Sequence, residues 1–283
     1  MHFTKYHGLG NDYIVIEPEE FEGDPTSDQI MRICHRNYGV GSDGILYGPL
    51  SFHEGDFGLK IFNPDGSEAE KSGNGLRIFS RYLWDKGLVN EELFTISTLG
   101  GLVRSQVFNE GRLVTVDMGR ISFNSKQIPV AGAEREVINE IISIADNDLT
   151  FCAATIGNPH CVVIRETADE EEAKRLGPLI ENDTRFPNRT NVQFLQVINR
   201  ENIRIEIWER GAGYTLASGS SSCAAAAVAH KLGLCGSQIT VHMPGGCIEV
   251  SIADDYSMQM TGSVTRVCSG DISEEAFLDN REL

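Results

Sequence analysis

The sequence repeats a series of short polar motifs at a nearly constant interval, and this repeat constrains the fold more than any other feature. The segment "HGLGND" matches "ATIGNPH", and "SGNG" matches "SGSS". A polar turn comes nine residues before each of the two serines, and a Gly-Gly pair follows each adjoining helical pattern. The matched positions are Asn11 with Asn158, Asn63 with Glu209, Ser72 with Ser218, and Gly100 with Gly245. Because all four pairs keep their order at offsets of 145–147 residues, the sequence predicts a duplicated domain.

Each half predicts the same order of elements. Short runs with period-two alternation, such as "YIVIE", "GLKIF", "CVVIR" and "IRIEIWE", indicate strands. One helical pattern per half, "GLRIFSRYLWDKG" or "SSCAAAAVAHKLG", ends in a glycine, as helices often do. The second pattern has no polar face, which predicts a helix enclosed by its own sheet. Further helices are predicted over 133–147 and 168–180.

These elements predict the α/β class, of α+β type, with two pseudosymmetric domains. We expect each domain to be a curved, mostly antiparallel sheet wrapped around a central helix. The first half-domain is predicted to comprise residues 1–119 together with about 263–283, and the second residues 120–262. Because a duplicated fold commonly binds its ligand where its halves meet, the ligand is expected in the cleft between them.

Composition and charge narrow the class of partner. The net charge of −17 has no clustered Lys/Arg to offset it, which argues against nucleic acid and anionic membranes and leaves a small polar metabolite. The start has no apolar signal-peptide region, and no stretch approaches the length of a membrane span. Seven cysteines without disulfide-type spacing suit a reducing cytosol, so we expect a cytoplasmic protein.

Metal and phosphate motifs are missing from the sequence. Cys223, Cys235 and Cys247 form no CxxC pair, and neither "HGLGND" nor "GNPHC" has metal-ligand spacing, so no catalytic metal is predicted. The glycines of "SGNG" are not followed by Lys-Ser/Thr, which excludes a P-loop.

The repeated serines mark the predicted reaction site. A helix N-terminus offers unpaired backbone N–H groups and a positive dipole end, so two of them aimed at one point would hold a carboxylate. Ser72 and Ser218, equivalent by the repeat, are then expected to approach the ligand from opposite sides. Two groups on opposite faces of one carbon are what inversion by proton removal and return requires.

The surrounding polar residues fit a zwitterionic amino acid. Glu209 and Arg210, adjacent in "WERGAG", are suited to hold an ammonium and a carboxylate. Asparagines in turn-like contexts can bind both charges, although each could equally form a structural Asx-turn. These asparagines are Asn11, Asn63, Asn74, Asn158 and Asn191.

The combination of "KYHGLGNDYIVIE", "GVGSDGILY", "GNPHCVV", "FPNRTNVQF" and "WERGAG" resembles the diaminopimelate epimerase family along almost the whole chain. The resemblance implies an amino-acid racemase or epimerase that uses two bases, needs no pyridoxal or other cofactor, and is often a homodimer. It also implies action on meso- or LL-diaminopimelate, in lysine and peptidoglycan precursor synthesis. The family's substrate-contacting side chains match Asn11, Asn63, Asn158, Asn191, Glu209 and Arg210. Its backbone carboxylate cradle matches Gly73, Asn74, Gly219 and Ser220.

The sequence departs from the family pattern at the two reacting positions. The family carries cysteine where this chain has Ser72 and Ser218, while Lys71 stands in place of an apolar residue and Tyr214 in place of glutamate. A helix dipole contributes typically ~0.3–1 kcal/mol and reaches about 2, which moves a pKa by one or two units. That shift is enough to activate a thiol and too small for an alcohol, so two-thiol epimerisation is disfavoured.

Three interpretations remain open at this stage. The chain is a Cys-to-Ser variant of an ordinary epimerase, an isomerase whose acid/base work has moved to other groups, or a paralogue that binds an amino acid without turnover. The candidates for moved acid/base work are His160, Glu209, Tyr214 and Lys71. Each has a structural alternative: Ser72 and Ser218 as N-caps, Lys71 as a solvated side chain, Tyr214 as a filler of the missing glutamate's volume, and His160 as a turn residue.

Overall fold

A computed structural model describes residues 1–51, 54–145 and 147–278 of the chain. The chain divides into two compact units. The first comprises Met1–Val116 together with the chain from Gly262 onward, and the second comprises Asp117–Thr261.

The first unit is built mainly from antiparallel strands. Its strands are β1 (His2–Gly8), β2 (Asn11–Ile16), β3 (Ile45–Leu50), β4 (Phe57–Phe62), β5 (Glu68–Ala69), β6 (Phe94–Thr98), β7 (Gly101–Phe108), β8 (Leu113–Arg120) and, after the second unit, β18 (Thr265–Asp271). Its helices are α1 (Ser27–Cys34), α2 (Gly73–Asp85) and the short 3-10 turns Pro18–Glu20 and Glu274–Phe277. β1 pairs antiparallel with both β2 and β18, while β2 with β3 and β4 with β6 run parallel.

The second unit repeats this construction. Its strands are β9 (Glu140–Ile144), β10 (Asn147–Thr155), β11 (Pro159–Arg165), β12 (Asn191–Asn199), β13 (Asn202–Glu209), β14 (Gly213–Thr215), β15 (Gln238–Met243), β16 (Gly246–Ile252) and β17 (Ser257–Ser263). Its helices are α3 (Glu170–Glu181) and α4 (Gly219–Lys231). β11 with β12 and β13 with β15 are parallel, and the neighbouring pairs β9–β10, β10–β11, β12–β13 and β15–β16 are antiparallel.

One helix is enclosed by strands in each unit, which confirms the predicted fold class. α2 packs on β1, β2 and β7, and α4 packs on β10 to β13, β15 and β16. α4 can be surrounded on all sides because its run of alanines from Ala224 to Ala227, like Cys223 and Val228, offers only small or apolar side chains. α2 also has a buried cation, Arg77, whose guanidinium is needed at the site described below.

Two local predictions need correction. The helix predicted over 133–147 is wrong, because its described part contains strand β9, in which Ile142 and Ile144 are buried while Ile141 and Ser143 are exposed. Residue 146 of that range lies outside the described residues. Helix α1 was not predicted, although Thr26 forms a capping box with the helix. Among the described residues, no helix combines the length and apolar character that crossing a membrane requires.

Candidate functional site

The first half-site is the beginning of α2. Ser72 is the N-cap, with extended backbone angles, and its Oγ accepts a hydrogen bond from the Gly75 backbone N–H at 3.0 Å. The Tyr13 hydroxyl lies 3.1 Å from the same Oγ, so two groups orient the Ser72 hydroxyl. The first N–H groups of a helix have no intrahelical acceptor, which leaves those of Gly73 and Asn74 suited to an anion.

Asn74, the second residue of α2, is fixed by side chains from the same unit. Its Nδ2 donates to Asn11 Oδ1 at 3.0 Å, and its Oδ1 accepts from Arg77 Nη2 at 2.5 Å. Arg77 is fully buried and also donates to the Ser263 carbonyl at 3.1 Å. Gly8 allows this arrangement, because a Cβ at that position would stand 3.3 Å from Arg77 Nη2. These hydrogen bonds fix the position of the first turn of α2 within its unit.

A charged cluster fixes the turn that carries Asn11. Asn11 donates to Asp43 at 2.8 Å, and Arg36 bridges Asp12 and Asp43 at 2.8 and 2.7 Å. Lys5 pairs with Asp12 at 2.7 Å. Burial by itself would raise the pKa of Asp12, but hydrogen bonds from Arg36 and Lys5 outweigh it and leave that pKa below its ordinary value. Asp12 therefore stays ionised at neutral pH and keeps the cluster closed.

The second half-site is the beginning of α4. Ser218 is the N-cap with extended backbone angles, and its Oγ accepts from the Ser221 backbone N–H at 3.4 Å. Ser220, the second residue of α4, accepts a hydrogen bond on Oγ from Asn158 Nδ2 at 3.4 Å. Asn158 Oδ1 in turn lies 2.9 Å from His160 Nε2.

The two half-sites share one arrangement. In each, a serine caps the helix, and the second helical residue is hydrogen-bonded to an asparagine that follows a loop glycine. The hydrogen-bonded pairs are Asn74 with Asn11 and Ser220 with Asn158. In the sequence repeat, Asn11 matches Asn158 and the capping serines match each other. The duplication is thus preserved in side-chain contacts.

His160 supports the second half-site from inside the unit. It is fully buried, and burial lowers the pKa of its ring to about 3. Gln193 Nε2 donates to Ser221 Oγ at 2.9 Å. At neutral pH the His160 ring is uncharged and a weak base, so its contacts favour orienting Asn158 over moving a proton.

Asn191 holds the turn that carries Glu209 and Arg210. Its Oδ1 accepts from the Arg210 backbone N–H at 3.0 Å, and its Nδ2 donates to the Pro159 carbonyl at 2.9 Å. Glu209 is half-buried at the end of β13, whereas Arg210 is exposed and donates from Nη1 to the Asn188 carbonyl at 3.0 Å. An exposed guanidinium held by one carbonyl keeps donors available for a carboxylate.

Comparison with known proteins now places the chain. The sequence model of the family described as diaminopimelate epimerase matches residues 3–124 and 152–267. The chain belongs to the diaminopimelate epimerase family. It is 60% identical, over 98% of its own length and 97% of the other protein, to diaminopimelate epimerase 2 of Nostoc sp. strain PCC 7120. It is 39% identical, over 95% and 96%, to diaminopimelate epimerase of Alkaliphilus metalliredigens. Membership makes the chain a diaminopimelate-epimerase-like isomerase.

Solved structures share the fold of this family member at low sequence identity. A probable proline racemase from Agrobacterium radiobacter K84 superposes with a TM-score of 0.70 at 16% identity, covering 96% of this chain and 93% of that one. A hydroxyproline epimerase from Agrobacterium vitis gives a TM-score of 0.68 at 16% identity, covering 96% and 90%. At this identity the likeness is one of fold.

The chain that leads into the two helix starts carries three further predicted residues, Asn63, Lys71 and Tyr214. Asn63 forms a tight turn, in which its Nδ2 donates to Ser67 Oγ at 3.0 Å. Tyr214 donates to Glu206 at 2.6 Å and lies with its ring 5.1 Å from Lys174 Nζ of α3. Burial and that carboxylate raise the pKa of Tyr214. The Tyr214 ring therefore packs against the Lys174 side chain of α3. Lys71 is half-buried and immediately precedes Ser72.

Tyr13 and Arg77 were not among the predicted site residues. Tyr13 lies within a strand in which every residue after Asn11 is buried, so no periodic signal distinguishes it. Arg77 lies within the helical pattern "GLRIFSRYLWDKG", in which a charged side chain is ordinarily exposed. The Tyr13–Ser72 contact joins residues 59 positions apart, which only the folded unit brings together, whereas Arg77 and Asn74 lie within one turn of α2.

Proposed function

We propose that this isomerase acts at the α-carbon of a free amino acid of the diaminopimelate class, removing and returning the α-proton without a pyridoxal or other cofactor. The observation that carries the proposal is the arrangement repeated in both units: a serine cap, a helix start whose first N–H groups have no intrahelical acceptor, and an asparagine hydrogen-bonded to the second helical residue. The relative from Nostoc, named diaminopimelate epimerase 2, supports this class of substrate.

In this proposal both half-sites act on the same ligand. Backbone N–H groups at the two helix starts bind its carboxylate, while Glu209 and Arg210 take an ammonium and a carboxylate. The binding residues are Asn11, Asn63, Gly73, Asn74, Asn158, Asn191, Glu209, Arg210, Gly219 and Ser220. Lys71 and Tyr214 remain proposed modifiers of the pocket.

The Ser72 and Ser218 hydroxyls are the proposed groups at the reacting carbon, with Glu209 and His160 as the alternative acid/base residues. An alcohol gives up its proton far less readily than a thiol, and the dipole of a helix supplies only about 2 kcal/mol at best. We therefore expect slow exchange of the α-proton. On the first side, Tyr13 is a positioning residue, because its hydroxyl sets the direction of the Ser72 hydroxyl.

A second candidate function is amino-acid binding without turnover. It is favoured by the capping bonds, because both serine oxygens already accept from a backbone N–H at the third helical position. In this case the half-sites bind and orient the ligand, and neither hydroxyl exchanges a proton with it.

The test measures binding by calorimetry against a panel of amino acids, and α-deuterium uptake from heavy water into LL- and meso-diaminopimelate by NMR. Replacing both serines by thiols, Ser72→Cys with Ser218→Cys, should raise the exchange rate by about 10²-fold or more. Ser72→Ala or Ser218→Ala should abolish exchange. Tyr13→Phe should slow exchange with little change in affinity.

Asp169→Ala is the matched control, because Asp169 caps α3 by accepting from Glu172 N–H at 2.8 Å and belongs to neither half-site. It should cost about 1 kcal/mol of stability, like the loss of any N-cap, and leave exchange unchanged. Absence of binding by every amino acid tested would refute the proposal. Binding with no exchange even in the double-thiol variant would favour the second candidate.

A further inference from the structure

Three polar side chains meet on the solvent-facing side of the sheet in the second unit. Asn202, His242 and Cys247 lie on β13, β15 and β16, and His242 pairs directly with Cys247 across the antiparallel ladder. β13 and β15 run parallel beside each other. Each of these residues has a fully buried neighbour in its own strand: Ile203, Val241 and Ile248. Because successive side chains of a strand point to opposite faces, the three polar side chains point to the solvent-facing side.

The three groups are linked in a row by hydrogen bonds. Cys247 Sγ lies 3.2 Å from His242 Nδ1, and His242 Nε2 lies 2.9 Å from Asn202 Oδ1. An amide oxygen can only accept, so it selects the imidazole tautomer with the proton on Nε2. The lone pair of Nδ1 then faces the thiol. This is the arrangement of a nucleophile, a base and a group that orients the base.

We propose that Cys247 is a reactive thiol and a site of covalent modification by small disulfides. His242 Nδ1 accepts the thiol proton, and the Cys247 thiolate attacks one sulfur of the disulfide. A new S–S bond forms to Cys247 while the S–S bond of the reagent breaks, and the leaving thiolate takes the proton back from His242. No further oxidant or reductant is needed, because the incoming disulfide supplies the oxidation level.

Burial distinguishes Cys247 from most of the other cysteines. Cys34, Cys152, Cys161, Cys223 and Cys235 are buried, whereas Cys247 and Cys268 are exposed. Among the described residues, Cys268 has no hydrogen bond to an imidazole or other base. Cys268 therefore serves as an internal reference thiol, because it is also exposed and lacks the His–Asn pair.

The test uses 2-hydroxyethyl disulfide, an uncharged reagent that the protein's net charge of −17 neither attracts nor repels. Rates of adduct formation at Cys247 and Cys268 are followed in the same folded protein by peptide mapping and mass spectrometry. Cys247 should react at least about tenfold faster, since a positioned base typically contributes a rate factor of about 10²–10⁴. His242→Gln should bring Cys247 down to the rate of Cys268, and Asn202→Ala should give an intermediate rate.

Cys268 should react at the same rate in all variants, and both cysteines should react alike in the unfolded chain. The substitutions lie on the solvent face, and circular dichroism verifies that each variant is folded. Equal rates at the two cysteines in the native protein would overturn the proposal. So would an unchanged Cys247 rate in His242→Gln.

Discussion

Ser72 and Ser218 show how one hydroxyl can be a good helix cap and a weak acid at the same time. Ser72 and Ser218 keep extended backbone angles, and both accept from the N–H three residues on. Serine is among the best N-cap residues, so the helices are stabilised by the same atoms that limit proton transfer. Each serine hydroxyl therefore favours helix stability and disfavours proton transfer.

His160 should make the protein less stable as the pH falls below neutrality. Its pKa is about 3 in the folded chain, because burial disfavours the charged ring, and about 6.5 in the unfolded chain. A depressed folded pKa contributes stability that is complete above about pH 6.5 and is lost as pH falls toward the folded value. The free energy of unfolding should therefore decline by up to about 1.4 kcal/mol per pH unit in this window.

The measurement is urea unfolding of the native protein and of His160→Gln between about pH 7 and pH 5, where few carboxylates titrate. The glutamine variant has no titrating ring, so its stability should vary less with pH. Parallel curves for the two proteins would mean that His160 is not protected from protonation by its burial.

At the scale of elements, α4 has no polar face and must therefore be covered on all sides by the strands of its unit. Its residues from Ser221 to Ala229 are all buried, and strands of its own unit contact it on several sides. Small side chains let the strands approach closely, at the cost of leaving no room for larger ones. α2 in the other unit solves the same problem with larger apolar residues and a buried arginine.

Ala225→Leu should therefore destabilise the protein. The added carbon atoms have no space in a packed interior, and overpacking of this kind typically costs about 1–3 kcal/mol. The matched control is Ala253→Leu, since Ala253 is exposed in the turn after β16 and has room for the larger side chain. Denaturant unfolding compares the two. Equal stabilities would show that the strands around α4 can move apart at little cost.

At the scale of the whole molecule, charge is the dominant feature. The net charge is −17 at pH 7, and the sequence pI is about 4.8. Like charges on a compact chain repel, which favours the unfolded state and keeps the protein away from polyanions. Local pairs such as those around Asp12 offset this repulsion only in part.

Added salt should accordingly stabilise the protein near neutral pH. Raising NaCl from about 0.01 to 0.15 M shortens the Debye length from about 30 to 8 Å and screens the repulsion. We expect a gain of a few tenths to about 1 kcal/mol in the free energy of unfolding. Thermal unfolding at both salt concentrations measures it. The same experiment near pH 5 is the control, because the net charge there is close to zero; a gain of the same size at both pH values would exclude charge repulsion as the cause.

The features that the sequence determined by itself are those encoded by neighbouring residues or by the internal repeat. The duplication, the serine caps, the enclosed alanine helix and the family likeness all depend on neighbouring residues or on a constant offset, and the fold class follows from them. The helix predicted over 133–147 was wrong because a β-branched strand in that range outweighed the helical pattern.

Only the tertiary structure decided which side chains meet. The contacts of Ser72 with Tyr13 and of Asn74 with Asn11 join residues about sixty positions apart. They depend on how strands pair and on what the packed unit buries, which no local pattern encodes. The same is true of the buried His160, whose basicity is set by the loss of solvent around its ring. The sequence therefore predicted the groups, and burial and strand pairing determined their contacts and protonation.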